Sequence, residues 1–532
     1  MNHSPLFLGL DSSTQSLKAC AIDADLNVTA EFTVNFDADL PQYKTQGGVH
    51  RGPDGLSVTS PPQLWVAALD LLLQRMKEAR FPFASVVAIS GSGQQHGSVY
   101  FKQGTHTTLG ALTPAQPLLP QLDNSFAVAA SPIWMDSSTT AQCRALETAL
   151  GGPQAVAELT GSRAYERFTG NQIAKIFQTQ RAGYDATERI ALVSSFVASL
   201  LIGDYAPIDV SDGSGMNLMD VRRKQWSQKA LDLTAPGLAA KLGPVAPSHT
   251  VAGTIHAHFI GRYGFNPACQ VILFSGDNPC SLAGLRLQKP GDVAISLGTS
   301  DTLFGTLHDP KPSASEGHIF AGPTDPDGYM AMIVYKNGSL TREDVRDRAA
   351  AGSWEEFTAA MDRTPVGNHG QIGFFIKEPE ITPPILKTGI QRFGMDGKAV
   401  PSFTPDAEVR AVVEGQFLSM RLHSNNIGLQ PKSILATGGA SVNTCILRVM
   451  SDVFGVPVFT ATKPNSAALG AAYRALHGWT CATRESFTAF ADVMKKAPAF
   501  ILTMEPDAKA HAVYTAMLTR YAALEQRVMA SM

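Results

Sequence analysis

Charge is scarce in this chain. Asp, Glu, Lys and Arg make up 17% of its 532 residues and sum to −3. There is no basic excess to hold a polyanion, so neither nucleic acid nor an anionic membrane is an expected partner. Little charge beside 44% hydrophobic residues also argues against disorder and for large packed interiors. Cysteine is sparse. Cys20, Cys143, Cys269, Cys280, Cys445 and Cys481 are scattered without CxxC spacing, which suggests neither a zinc site nor a disulfide framework. Reduced thiols in a reducing compartment are expected, hence a cytoplasmic location. Long apolar runs are missing too. The longest membrane candidate, Phe196 to Ile202, falls far below the roughly 20 residues that a span needs. The opening MNHSP has no basic segment and the apolar run after it breaks at Asp11, so no signal peptide is expected.

What is present is a repeated device. FLGLDSSTQSLKACAI (7–22) and DVAISLGTSDTLF (292–304) each read as an apolar strand, a tight turn of small hydroxylated residues with Asp or Gly, and a second apolar strand. Such turns bring N–H and O–H donors to one point, as a phosphate requires. Surface hairpins of this composition are common. Two copies, one near the start of each half, point to a duplicated domain with nucleotide between the halves. The length suits two domains, and the repeat sets them at 1–268 and 269–532. Strands alternate with helices, so the fold class is α/β.

Further elements follow the same pattern. Ser60-Pro61-Pro62 opens a helix with Ser60 as its cap, and Leu64, Trp65, Ala68, Leu69, Leu72 and Met76 form its buried stripe. Val86 to Ile89 is a strand ending in the turn GSGQQHG (91–97), and Ile133 to Met135 is another. Gln270 to Phe274 is a strand leading through SGDNP (275–279) to a helix from Ser281 to Leu287. Ser433 to Ala436 is a strand, TGGASVN (437–443) a turn, Thr444 to Phe454 a helix and Val456 to Thr460 a strand. The last 25 residues form an amphipathic helix with Val513, Met517, Tyr521 and Leu524 on one side.

Several residues in these turns bear reactive groups. Asp277 follows a buried strand in a small turn and suits a reacting carboxylate; it equally suits a helix cap. Asp11 suits a turn former, or a water-mediated ligand of Mg²⁺, which keeps several waters and uses few carboxylates. His96, Arg167 and Trp134 suit either packing or hydrogen bonds to a polyol. Gly438-Gly439 lets the backbone approach a flat ligand, with a helix N-terminus behind it.

The ordered set FLGLDSSTQSLKA, GSGQQHG, SGDNP, GDVAISLGTSDTLF and ATGGASVN resembles the FGGY-family carbohydrate kinases over nearly the whole chain. YKTQGGV (43–49), WMDSSTT (134–140) and GSRAYERFTG (161–170) resemble that family's longer eukaryotic-type branch. The resemblance implies two actin-like, ribonuclease-H-type domains about an interdomain cleft. The first would be mainly sugar-binding and the second mainly ATP-binding, with the terminal helix packing back on the first. It implies a cytoplasmic enzyme, monomer or homodimer, using ATP and Mg²⁺ to phosphorylate a ketose, D-xylulose, at its terminal hydroxyl. A kinase for ribulose or glycerol, or a non-metabolic actin-like ATPase, is the alternative. Residue by residue, it implies Asp277 as the catalytic base. His96, Arg167, Asn278, Gln95 and Trp134, with Asp277, would contact the sugar. Thr14, Gly298, Thr299, Trp354, Gly438, Gly439 and Asn443 would contact ATP, and Asp11 the magnesium. The chain departs from the family where many relatives have Trp-x-Asp-x-Arg: Ser138 stands in place of the Arg.

Overall fold

The computed structural model describes residues 4–461 and 467–531. They form two units: 4–288, 320–329 and 467–497 make the first, while 289–319, 330–461 and 498–531 make the second.

A seven-stranded sheet organises the first unit. Its order is Val251–Thr254, Gln270–Ile272, Val86–Gly93, Leu6–Ser12, Ser16–Asp23, Val28–Asn35, and the short strand Ser275–Gly276 also pairs with Val86–Gly93. Successive side chains of a strand point to opposite faces. Leu6, Leu8 and Leu10 pack with Leu64, Leu69 and Leu72 of helix Pro62–Glu78 and with Phe196 of helix Val193–Ile202. Phe7 takes the other face, with Ala468 and Ala472 of helix Ala467–Thr483 and Ala283 of helix Asp277–Gly284. Asp11 continues the Phe7 series and so belongs to the face that these two helices cover.

The second unit repeats the arrangement. Strands Asp301–Leu307, Asp292–Leu297, Ser433–Thr437, Val458–Thr460 and Ile501–Met504 are consecutive neighbours. In both sheets a hairpin's first strand has a parallel neighbour on its other side. Helices Pro405–Asn426, Thr444–Phe454 and Ala508–Ser531 pack in this unit.

Some local expectations change. Pro61, not Ser60, is the N-cap, because Ser60 ends strand Val58–Ser60 and its hydroxyl donates to the Gly48 carbonyl. The chain turns at Ile133 to Met135 instead of extending. The Asp136 N–H closes on the Ile133 carbonyl while the Asp136 carboxylate accepts from the Val58 N–H, and the strand is only Ser131–Pro132. The helix expected from Ser281 begins at Asp277, since Pro279 in a first turn costs no hydrogen bond. Strands Gln270–Ile272 and Val458–Thr460 are shorter than expected. On the terminal helix the buried stripe is Tyr514, Met517, Tyr521, Leu524 and Val528, one position off Val513, which is 40% exposed. Five cysteines are buried and Cys445 half-buried, all unpaired. No helix among the described residues is long and apolar enough to cross a membrane.

Helices Asp277–Gly284 and Ala467–Thr483 touch backbone to backbone. A Cβ at Gly470 would overlap the Cys280 carbonyl, and one at Gly9 would overlap the Ala468 carbonyl. Neither neighbour is a movable side chain. Gly470→Ala is therefore expected to cost about 1–3 kcal/mol through overpacking, read as a lowered urea midpoint. An unchanged midpoint would show that the two helices can part without loss.

Candidate functional site

The first unit gathers the residues expected around the sugar. Register places them: Asp11 lies beside Ser92, and Ser92 beside Ser275, on strands running parallel. Asp11 and Asp277 thus emerge at the same C-terminal edge of the sheet, where open parallel sheets characteristically bind ligands. Asp11 is buried and accepts a 2.5 Å hydrogen bond from the Ser92 hydroxyl. Burial raises its carboxyl above the usual range, against the pull of that hydrogen bond and of Lys18.

Asp277 opens its helix, and Gly276 stands at the N-cap without a side-chain bond. Its Oδ1 accepts from the backbone N–H groups of Asn278 at 2.9 Å and Gln95 at 3.3 Å. The Asn278 amide donates to Gln95 Oε1 at 2.7 Å. Burial, with the Asp11 charge added, pushes the Asp277 carboxyl up to about 7. A carboxyl so placed is poised to take or give a proton near neutrality.

His96 has φ of +70°, a conformation uncommon for a residue with a side chain. Its ring stacks on Phe168 at 4.4 Å, and Nδ1 lies 2.9 Å from the Gly215 carbonyl. Nδ1 must donate there, which leaves Nε2 with a lone pair. Burial, aided by Arg167, lowers this imidazole to about 3, so it is neutral and accepts hydrogen bonds. Arg167 lies over the Tyr165 ring at 5.5 Å, and its burial lowers its own basicity. Trp134 is 41% exposed, and its indole N–H donates to the Thr14 hydroxyl at 2.8 Å. Its only donor is committed to the tip of the first hairpin, where Thr14 also lies.

The second unit gathers the other group. Gly298, Thr299, Trp354, Gly439 and Asn443 line one cavity of about 950 Å³, a volume ample for a nucleotide. Gly438 has φ of +83°, and a Cβ there would come within 2.5 Å of the Leu297 carbonyl, so the turn requires glycine. Asn443 caps helix Thr444–Phe454, accepting from the N–H groups of Cys445 and Ile446. Trp354 carries the Arg346 guanidinium over its ring at 4.9 Å.

Other residues bear on these groups without having been singled out in sequence. Asp301, at the end of the second hairpin's tip, is wholly buried in a two-pronged ion pair with Arg342, at 2.7 and 3.0 Å. Arg342 also donates to Ser339, which lines the cavity. Asp212 is buried, bonded to the Ser194 hydroxyl at 2.6 Å and pushed up to about 8 by burial with the charges of Asp209 and Asp277. Ser92 was visible within the GSGQQHG turn. Arg342 and Asp212 carry no spacing signal that marks them.

The model of the FGGY family of carbohydrate kinases, N-terminal domain, matches residues 124–284, and that of the C-terminal domain matches 293–479. The chain is 54% identical to the xylulose kinase of Mus musculus over 527 residues, covering 98% of this chain and 94% of the relative. To xylulose kinase 2 of Arabidopsis thaliana it is 52% identical over 496 residues, covering 91% and 88%. Two solved structures share the fold. The xylulose kinase from Rhodospirillum rubrum superposes with a TM-score of 0.80 at 17% identity, over 98% of this chain and 99% of that one. The ligand-bound xylulose kinase from Lactobacillus acidophilus gives 0.78 at 18%, over 99% of both. The α/β architecture of two actin-like domains is the one expected from sequence.

The raised Asp277 carboxyl has a consequence for stability. An unfolded aspartate titrates near about 4, and in the fold Asp277 is pushed up to about 7. Between those values the folded chain holds a proton that the unfolded chain has lost. Stability from this group is therefore present at low pH and declines as pH rises through that window. Asp277→Asn removes the decline. In buffer free of divalent cations its melting temperature should exceed that of the wild type at pH 8, with the gap closing toward pH 4. A variant melting lower than wild type at pH 8 would mean that the carboxylate is stabilised where it sits.

Proposed function

The chain belongs to the FGGY family of carbohydrate kinases, and we propose that it phosphorylates D-xylulose, using ATP, to D-xylulose 5-phosphate. The observation that carries this reading is the 54% identity, over 98% of the chain, to a mammalian xylulose kinase. The site's chemistry supports it. Phosphoryl transfer needs an in-line hydroxyl, a proton acceptor and charge neutralisation on the transferred group. Asp277, at about 7, would take the proton of the terminal hydroxyl as its oxygen bonds to the γ-phosphorus. The bond from that phosphorus to the β–γ bridging oxygen breaks, and ADP leaves. Neutral His96 offers Nε2, and Asn278 its Oδ1, as acceptors for sugar hydroxyls, Arg167 offers donors, and Gln95, bonded to Asn278, would help fix the sugar's orientation. Trp134 would bear on the sugar through its ring.

For ATP, Gly298 and Thr299 would meet the phosphates with N–H and O–H donors, as would Thr14 of the first hairpin. Gly438 and Gly439 would lie against the adenosine, with Asn443 and Trp354 beside it. The donor set also fits magnesium. No group of three or more His, Cys, Asp or Glu among the described residues could hold a metal ion. Asp11, a buried carboxylate that accepts from the Ser92 hydroxyl, suits a hard cation that keeps most of its waters. Mg²⁺ held there through water would offset charge on the β- and γ-phosphates. The unpaired thiols agree with a cytoplasmic enzyme.

A coupled ADP-release assay over xylulose, ribulose, fructose, glycerol and 1-deoxyxylulose tests the substrate. D-Xylulose should give the highest kcat/KM; a higher value for ribulose or glycerol would reassign the enzyme. With D-xylulose, Asp277→Asn should lose about 10²–10⁴-fold in kcat, the usual contribution of a positioned base, while sugar affinity is largely kept. Wild-type turnover in this variant would remove Asp277 from the proton transfer.

A further inference from the structure

Asp212 stands behind the sugar-facing groups. It is 3% exposed, on the short helical turn Val210–Gly213, and one oxygen, Oδ2, is held by the Ser194 hydroxyl at 2.6 Å. The other, Oδ1, is buried and makes no hydrogen bond of ordinary geometry. The same holds for the Gln95 side-chain nitrogen, Nε2. Both groups crowd one point. A Cβ on Gly276 would collide with Gln95 Cγ and lie 2.8 Å from both the Gln95 amide carbon and Asp212 Oδ1. The Gln95 amide is near enough to favour the charged form of Asp212.

The other end of the Gln95 amide is already assigned. Its Oε1 accepts from the Asn278 amide at 2.7 Å, so its Nε2 faces away from Asn278. An unpaired buried donor beside an unpaired buried acceptor is costly unless the two serve each other. From this juxtaposition we infer that Asp212 is a positioning residue: its Oδ1 accepts from Gln95 Nε2, fixes which way the Gln95 amide faces, and so fixes which Asn278 atom is left for the sugar. Without an acceptor at 212, the Gln95 amide is free to turn over. Its NH₂ would then face the NH₂ of Asn278, and Asn278 would turn in response, presenting a donor where it had presented an acceptor. Gly276 is glycine because no side chain fits between these groups.

This rests on the reading of Asn278 as a sugar contact. The test is the split between substrates. Wild type is first run with D-xylulose; no turnover there would reject the proposed function and says nothing of Asp212. With an active sugar in hand, Asp212→Ala should raise the KM for that sugar about tenfold and leave the KM for ATP within twofold. Asp212→Asn keeps an acceptor oxygen and should bring the sugar KM back toward wild type. An unchanged sugar KM in Asp212→Ala, an equal rise for both substrates, or an Asn variant as poor as the Ala variant would each overturn the inference. If Asp212→Ala does not fold, Ser194→Ala serves instead, because it frees Oδ2 and loosens the carboxylate. The expected result is a smaller rise confined to the sugar KM, and wild-type values for both substrates would overturn it.

Discussion

The first unit depends on one alignment: three parallel strand ends held in register, Leu6–Ser12 beside Val86–Gly93 beside Ser275–Gly276. A slip of one residue would turn every side chain of a strand to the opposite face. Asp11 would then leave the face it shares with helices Asp277–Gly284 and Ala467–Thr483, and Ser92 would no longer lie beside it. The register is over-determined. Leu6, Leu8 and Leu10 need the apolar face on one side, while Gly9 and Gly470 admit helix backbone on the other. The hydrophobic pattern that builds the core therefore also sets the spacing of the carboxylates.

The second unit fixes its hairpin by different means. Tight turns of small residues are intrinsically loose, and Gly298-Thr299-Ser300 offers little to pack. Beneath it the Asp301–Arg342 pair is buried completely. Such a pair contributes little net stability, because desolvation offsets its attraction, but losing one partner is severe. Its effect is geometric. Arg342 spans Asp301, Ser339 and Gln416, and so ties the hairpin tip to the start of helix Ser339–Ala349. Gly338 sits where a Cβ would strike Asp301 and the Thr299 carbonyl, which draws the two segments together.

What was legible in the sequence follows from this division. Hairpins, glycine turns and the stripe from Leu64 to Met76 announce themselves, since strand alternation, turn chemistry and helical spacing are local. Helix Thr444–Phe454 could be bounded to the residue because Asn443 caps it. Ser60 misled: a good capping residue was instead needed by the Gly48 carbonyl, a partner that only the folded chain supplies. Ile133 to Met135 misled likewise, since Asp136 reaches back to Val58. Nothing in the local sequence marks Arg342 or Asp212. Their meaning comes from Asp301, Ser194 and Gly276, which are distant in sequence, and no window along the chain brings them together. The family resemblance supplied roles for Asp277 and His96 that their local sequence left open.

The carboxylates of the first unit also explain why the site is both costly and useful. Asp11, Asp212 and Asp277 are all raised by burial, and the charges of neighbouring aspartates raise Asp212 and Asp277 further. Asp209, also wholly buried, has a cation beside it: Arg474 lies 3.6 Å away, and Ser248 donates to it. Asp212 and Asp277 have hydroxyl or amide donors but no such cation among the described residues, and Asp11 has the more distant pull of Lys18. Serine hydroxyls partly compensate Asp11 and Asp212, at 2.5 and 2.6 Å. Asp277 receives backbone N–H groups and the Asn278 amide, and its carboxyl still stands up at about 7. General-base efficiency is greatest when the base titrates near the working pH, and a fully compensated carboxylate would be too weak a base. On the proposed reading, the burial that holds the Asp277 carboxyl up at about 7 would fit it to take a proton, and the close packing of helix Asp277–Gly284 against Ala467–Thr483 would help the fold tolerate it.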